Sequence, residues 1–118
     1  MPSWKKLIVS GSDAAIPSVS TAADFTIDAG GDIVLDADGT DIKLKDGGTE
    51  FGSFKRASSD FIIKSATNDK DIVFKGEDSD GGGTITALTL DMSSGGDAQF
   101  KQDVIAYYSS DKRLKDNI

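Results

Sequence analysis

The fold is decided by the stretch Asp41-Ile42-Lys43-Leu44-Lys45, in which apolar residues alternate with charged ones. The same unit occurs five times: an Asp, an apolar residue, a variable residue, a second apolar residue, and a closing Asp or Lys. Its copies are 24–28, 32–36, 41–45, 60–64 and 71–75. Alternation with a period of two is typical of a strand with one buried face. We therefore predict five short strands with one apolar face, formed by Phe25, Ile27, Ile33, Leu35, Ile42, Leu44, Phe61, Ile63, Ile72 and Phe74.

Residues that favour turns separate these units. Gly30-Gly31, Asp38-Gly39 and Gly47-Gly48 follow the first three copies, and Gly and Asp are common in tight turns. Beyond the repeat, a polar loop is predicted over 77–83 and a turn over 93–97. Further strands are predicted over 84–91, 98–100 and 104–108. The pattern as a whole predicts an all-β fold made of an elongated repeat of short strands.

Composition limits the functions that are open to the chain. Of its 118 residues, 18 are Asp, two are Glu and 13 are Gly, which favours turns over helices. Leu, Ile, Val and Phe make up only about 24%, so burial against other copies would relieve a thin core. The net charge of −7 argues against nucleic acid as a partner. The absence of Cys and His excludes disulfides, thiol chemistry and a Ser-His pair.

The last nine residues, Ser110-Asp111-Lys112-Arg113-Leu114-Lys115-Asp116-Asn117-Ile118, carry a motif. They resemble the opening of the endosialidase-type intramolecular chaperone domain, which is found at the C-terminus of many phage tail fibres and tailspikes. The resemblance implies self-cleavage between Ser109 and Ser110, with Ser110 as nucleophile and Lys115 as the base. A Ser hydroxyl needs such a base, and burial can lower the pKa of a Lys enough to provide it. The same residues also suit a capped helix start over 110–118.

The resemblance further implies a homotrimer, in which the strands would form an intertwined β-helix or β-prism. We expect an N-terminal attachment segment (1–23), a β-repeat fibre segment (24–109) and the start of the chaperone domain (110–118). The expected role is structural, in a phage tail fibre or appendage, with host adhesion as a further role. Expected partners are other tail or baseplate proteins, for which Trp4 is a candidate anchor, and a host surface glycan or protein. No cofactor, no membrane insertion and no enzyme activity beyond self-cleavage are expected.

The opening of the chain bears on where such a protein would be made. Two lysines there precede a short apolar stretch, Leu7-Ile8-Val9, whereas a secretory signal needs about 7–15 apolar residues. This pattern suits a virion component that is made in the host cytoplasm and released by lysis.

Two alternatives stay open at the level of sequence. Asp36, Asp38 and Asp41 space carboxylates around Gly39 as a calcium loop does. The twelfth position of an EF-hand would however fall on Gly47, and Asp-Gly between alternating strands is already a turn signal. The chain would then be a small acidic β-domain that binds carbohydrate or calcium. It could also be a fragment of a polysaccharide-degrading tailspike, although 118 residues leave no room for a catalytic domain.

Overall fold

The computed structural model describes residues 13–106 of the chain. The chain divides into two compact units, Met1–Val34 and Leu35–Ile118, and every strand of the described residues lies in the second unit. These strands form two three-stranded sheets, called here the first sheet and the second sheet. The predicted all-β class is confirmed over this range. No helix within 13–106 is long and apolar enough to cross a membrane.

The first sheet is an antiparallel meander of three consecutive strands. Its strands are β1 (Asp41–Asp46), β2 (Thr49–Ala57) and β3 (Asp60–Ser65), with β2 in the centre. The predicted strands at 41–45 and 60–64 are confirmed as β1 and β3. The central strand β2 is not predicted, because its sequence Thr-Glu-Phe-Gly-Ser-Phe-Lys-Arg-Ala has no regular alternation.

The second sheet is a meander of the same kind. Its strands are β4 (Ile72–Asp78), β5 (Gly83–Asp91) and β6 (Asp97–Phe100), and a short 3-10 helix, Met92–Ser94, precedes β6. The predictions at 71–75, 84–91 and 98–100 are confirmed. The predicted loop at 77–83 is shorter than expected, because β4 continues to Asp78 and β5 already begins at Gly83.

The two sheets have the same strand arrangement, and each has a register shift at the equivalent position between its first and second strands. In the first sheet the register shifts after Leu44, which leaves Phe51 of β2 without a partner in β1. In the second sheet it shifts after Phe74, which leaves Ala87 of β5 without a partner in β4. Both carbonyl groups are used on the other side of the central strand. Phe51 O accepts from Ala66 N at 2.9 Å, and Ala87 O accepts from Lys101 N at 3.0 Å, in each case from the residue after the third strand.

Three strand predictions are wrong for the described residues. The units 24–28 and 32–36 adopt no strand, although they carry the same sequence pattern as β1 and β3. Residues 104–106 are also outside any strand, and Tyr107 and Tyr108 lie outside the described range. A strand requires a hydrogen-bonded neighbour, and no neighbour is paired with these segments in the described part of the chain. Sequence alternation alone does not supply one.

Two tight turns close the first sheet, and both need an unusual backbone conformation. Gly47 and Gly48 connect β1 to β2 with φ angles of 57° and 85°. Ser58 and Ser59 connect β2 to β3 with φ angles of 49° and 74°. Two consecutive positive φ angles in a two-residue loop match the hairpin turn that favours Asn-Gly or Gly-Gly. The second turn therefore places two L-residues in a region that glycine adopts at lower cost.

This difference predicts opposite effects at the two turns. Ser59→Gly should raise the free energy of unfolding by about 0.5–1 kcal/mol, because it removes a Cβ from a left-handed conformation. Gly48→Ser should lower it by a similar amount for the reverse reason. Denaturant unfolding of both variants at one protein concentration measures the two changes. A loss of stability in Ser59→Gly would contradict the turn geometry.

Candidate functional site

The strongest candidate surface is the apolar face of each sheet. In the first sheet the register places Ile42, Phe54 and Ile63 side by side across the three strands. Leu44 and Phe61 lie on the same face by alternation. The rings of Phe54 and Phe61 are stacked, with centroids 6.2 Å apart and planes at 27°. The face therefore has an apolar centre, with Arg56 beside it, because Arg56 lies opposite Phe61 on the same face.

The second sheet carries an equivalent face. One row consists of Ile72, Leu90 and Ala98, and the next consists of Phe74, Leu88 and Phe100. The predicted common face of the repeated units is thus confirmed for the units that form strands. Phe54, Leu88, Leu90 and Phe100 were not assigned to it from sequence. For the last three, alternation within the predicted strands was a usable signal, whereas for Phe54 the irregular pattern of β2 gave none.

These faces are open to solvent in the single chain. No hydrophobic side chain among residues 13–106 is fully buried. Phe61 is 73% exposed, and Phe74 and Phe100 are 47% and 50% exposed. Taking about 200 Å² for a large apolar side chain, each sheet leaves roughly 400 Å² of apolar surface in water. The largest apolar patch on a typical monomeric protein is of about this size and is often functional.

The other face of each sheet is polar and is therefore the side suited to contact with solvent. Lys43, Ser53 and Lys64 lie side by side on the first sheet. Lys55 forms an ion pair with Asp41 at 3.7 Å on that face. Ser53 is the one buried polar side chain among the described residues, at 4% exposure, and the long stems of neighbouring lysines can cover a short side chain in this way. On the second sheet the polar face includes Thr84, Thr86, Thr89 and Gln99.

An open groove lies at the end of the first sheet, beside the Ser58–Ser59 turn. Its volume is about 300 Å³, and its lining includes Ile42, Phe54, Phe61, Arg56 and Asp60. An aromatic floor with charged groups at the rim is an arrangement that can hold a sugar ring. The groove belongs to the apolar face, so it is accessible only where that face is uncovered.

The carboxylates of the possible calcium loop, Asp36, Asp38 and Asp41, do not converge on one point in the structure. Asp41 accepts a hydrogen bond from Thr40 Oγ1 at 3.0 Å and pairs with Lys55. Asp36 and Asp38 line a second depression together with Arg56. Within the described residues the structure brings together no group of three or more acidic side chains that could hold a metal ion.

One acidic residue that the sequence did not single out organises a turn. Asp91 Oδ1 accepts from the backbone N–H of Ser93 and Ser94 at 3.1 and 3.2 Å, and from Ser93 Oγ at 2.7 Å. Its Oδ2 accepts from Gln99 Nε2 at 3.2 Å. The hydrogen bond from the Ser93 hydroxyl is the main cause that lowers the pKa of Asp91, and the backbone and Gln99 bonds add to it. Asp91 therefore caps the 3-10 helix and ties the turn to β6.

The residues of the proposed cleavage, Ser109, Ser110 and Lys115, lie outside the described range, and so does Trp4. Their expected roles stay predictions. Comparison of the chain with family models, with curated proteins and with solved structures finds no match. The surfaces of the two sheets and the motif at 110–118 are therefore the features of the chain that bear on its function.

The role of Asp91 predicts a pH-dependent effect. Asp91→Ala should lower the melting temperature at pH 7, because it removes the acceptor that holds the turn. A carboxylate whose pKa is lowered by folding stabilises the fold above its unfolded pKa, about 3.9, and loses that effect as the pH falls through the folded pKa. The difference between parent and variant should therefore shrink as the pH falls below about 3.9 and through the lowered pKa of Asp91.

Asp97→Ala is the matched control, because Asp97 lies directly opposite Asp91 in the register. Removing a like charge from that position should leave the melting temperature unchanged or raise it. Equal losses in both variants would contradict a specific role for Asp91.

Proposed function

We propose that this chain is a structural segment of a bacteriophage tail fibre or appendage and assembles as a homotrimer. The observation that carries the proposal is the repeated design of the two sheets. Each presents an apolar face of several large side chains, and the described residues bury none of these faces fully. Repeated units of this size are typical of elongated proteins that bury a face only against neighbours.

The apolar area supports an assembly of several copies. The two faces together amount to roughly 800 Å² per chain, which is comparable to one partner's share of a standard stable interface. The opposite faces carry lysines, threonines and glutamine and suit contact with water. In the proposed trimer each chain turns its apolar faces toward a common axis, as in a β-prism. The number three comes from the resemblance of residues 110–118 to the chaperone of trimeric fibres.

The same resemblance supports maturation by self-cleavage. In the proposed reaction, Lys115 takes the hydroxyl proton of Ser110, and Ser110 Oγ attacks the carbonyl carbon of Ser109. The peptide bond breaks as its nitrogen takes the proton back from Lys115 and leaves as the amine of Ser110, and an ester joins the two residues. Water then hydrolyses the ester and frees the carboxyl group of Ser109. The mature fibre segment ends at Ser109 and becomes part of the virion, with residues 1–23 as the attachment segment.

A second candidate function is a small acidic β-domain that binds carbohydrate. The groove beside Phe54 and Phe61 favours it, because an aromatic floor next to Arg56 and Asp60 can stack and hydrogen-bond a sugar. The two functions differ in the state of the apolar face. The groove is free in a monomer and covered in the proposed trimer, so the mass in solution separates them.

Substitutions on the two faces of β4 test the trimer. Phe74→Asp should abolish the oligomer, because it places an unpaired charge in an apolar interior. Val73→Asp is the control, since Val73 pairs with Thr89 on the polar face and should leave the oligomer intact. Native mass spectrometry should give three chains for the parent and for Val73→Asp, and one chain for Phe74→Asp. A folded monomer of the unmodified chain would overturn the proposal.

Cleavage is tested in a chain that carries a complete chaperone domain. Ser110→Ala and Lys115→Ala should each give an assembled but unprocessed protein, because folding precedes the cut. Ser109→Ala should be processed nearly normally, since Ser109 contributes only its carbonyl group. Mass spectrometry of the products identifies the new C-terminus. Normal processing of Ser110→Ala would exclude this mechanism.

A further inference from the structure

Residues 32–36 have the sequence of a strand but are unpaired in the described chain. Ile33 and Leu35 are 54% and 62% exposed, and the backbone of this segment takes part in no strand ladder and no other backbone hydrogen bond described for residues 13–106. Val34, between them, is 81% exposed, more than any other large apolar side chain within that range. The same pattern is a paired strand in β1 and β3, so the missing element is a partner.

The free edge of β3 has the features that such a strand needs. Among residues 13–106, β3 pairs only with β2, and its other edge leaves backbone donors and acceptors unpaired in that range. Ile63 lies on the apolar face, because it is opposite Phe54 of β2. Phe61 is two residues from Ile63 and therefore lies on the same face. Ile62 lies on the polar face, opposite Lys55, and is the apolar exception on the β3 part of that face.

We propose that residues 32–36 of one copy add to the free edge of β3 in a neighbouring copy, with Val34 opposite Ile62. In an antiparallel pair, the arrangement of all strand pairs described here, Ile33 is then opposite Ile63 and Leu35 is opposite Phe61. These pairs extend the apolar face of the first sheet by one strand. On the other face Val34 covers Ile62, so the two apolar exceptions shield one another.

In this register, opposite charges face each other at one end of the strand pair, and like charges face each other at the other end. Asp32 is opposite Lys64, which forms no ion pair in the described chain. Asp36 is opposite Asp60, at the solvent-exposed end of β3, where directly opposed like charges weaken the pairing. The addition of an extended segment to a sheet edge is a common mode of recognition, in which main-chain hydrogen bonds give affinity and side chains give register.

The partner must be another copy, because the chain cannot reach this edge from its own β1. β1 and β3 are on opposite edges of the first sheet. A strand beside β3 lies about three strand spacings, roughly 14 Å, from β1. Only residues 37–40 separate the segment from β1, and they are folded into a turn closed by Thr40 N to Ala37 O at 2.9 Å. Donation from each copy to the next closes a ring, which is consistent with the trimer on which this inference rests.

The absence of cysteine from the chain makes the pairing directly testable. In the full chain with Val34→Cys and Ile62→Cys together, oxidation should link neighbouring copies, because opposite residues of paired strands have Cα atoms within disulfide range. A non-reducing denaturing gel should show most chains in covalent oligomers, and peptide mass analysis should show a disulfide that joins the two substituted positions. The control is Val34→Cys with Gln99→Cys, which places the second thiol on β6, and it should give several times less crosslinked product.

Each outcome decides between the two proposals. Covalent oligomers with the expected link support strand addition between copies. A disulfide within one chain overturns strand addition. A non-covalent trimer without the disulfide also overturns strand addition, but it supports the proposed trimer. A monomer in native mass spectrometry overturns the trimer first. Amide hydrogen exchange gives a second readout, since residues 33–35 should exchange about a hundredfold more slowly in the assembly than in a monomeric Phe74→Asp chain.

Discussion

The central constraint on this structure is that a three-stranded sheet with one apolar face cannot bury that face by itself. The apolar face of a sheet must be buried against another element in a stable fold. The described chain supplies two such sheets, and in neither is an apolar side chain fully buried. The alternation that makes these strands is the same feature that leaves their apolar sides open. In the proposed trimer, the hydrophobic effect that stabilises them would come largely from contacts with other copies, and a repeated sheet design would extend such contacts along the proposed fibre.

The alternation pattern in the sequence predicted some strands correctly and others wrongly, because it reports only local properties of the chain. Alternation between glycine or aspartate turns correctly predicted β1, β3 and the strands of the second sheet. It missed β2 because the sequence of that strand has no regular alternation, and because Ser58-Ser59 is not a usual hairpin signal although both residues adopt positive φ angles. It also predicted strands over 24–36, because a period of two reports which side chains can share a face and not whether a neighbouring strand exists. Pairing is a long-range property that the local pattern does not contain.

The candidate site shows the same division. The apolar face was predictable for Ile42, Ile63 and Phe74, since their units are regular. Phe54 could not be placed, because the bulge at Phe51 shifts the alternation of β2 by one residue. The role of Asp91 was hidden for another reason. An acidic residue at a strand end has the same local sequence whether it is solvated or caps a turn, and only the approach of Gln99 and the Ser93 hydroxyl distinguishes the two.

The bulges explain how the two sheets keep their design despite different sequences. A bulge increases local twist and interrupts pairing on one side of the central strand. Here the unpaired residue still offers its carbonyl to the residue after the third strand, at Ala66 and at Lys101. The backbone on that side therefore remains satisfied, and the hydrogen bond continues the pairing one residue beyond β3 and β6. Within the two described sheets, the backbone groups that the strands leave unpaired lie mainly at the outer edges. On the edge strand β1, Lys43 and Lys45 disfavour pairing with a further strand. On the edge strand β3, the central residue Ile62 is apolar. Of these two edges, that of β3 is the one whose side chains favour the addition of a further strand.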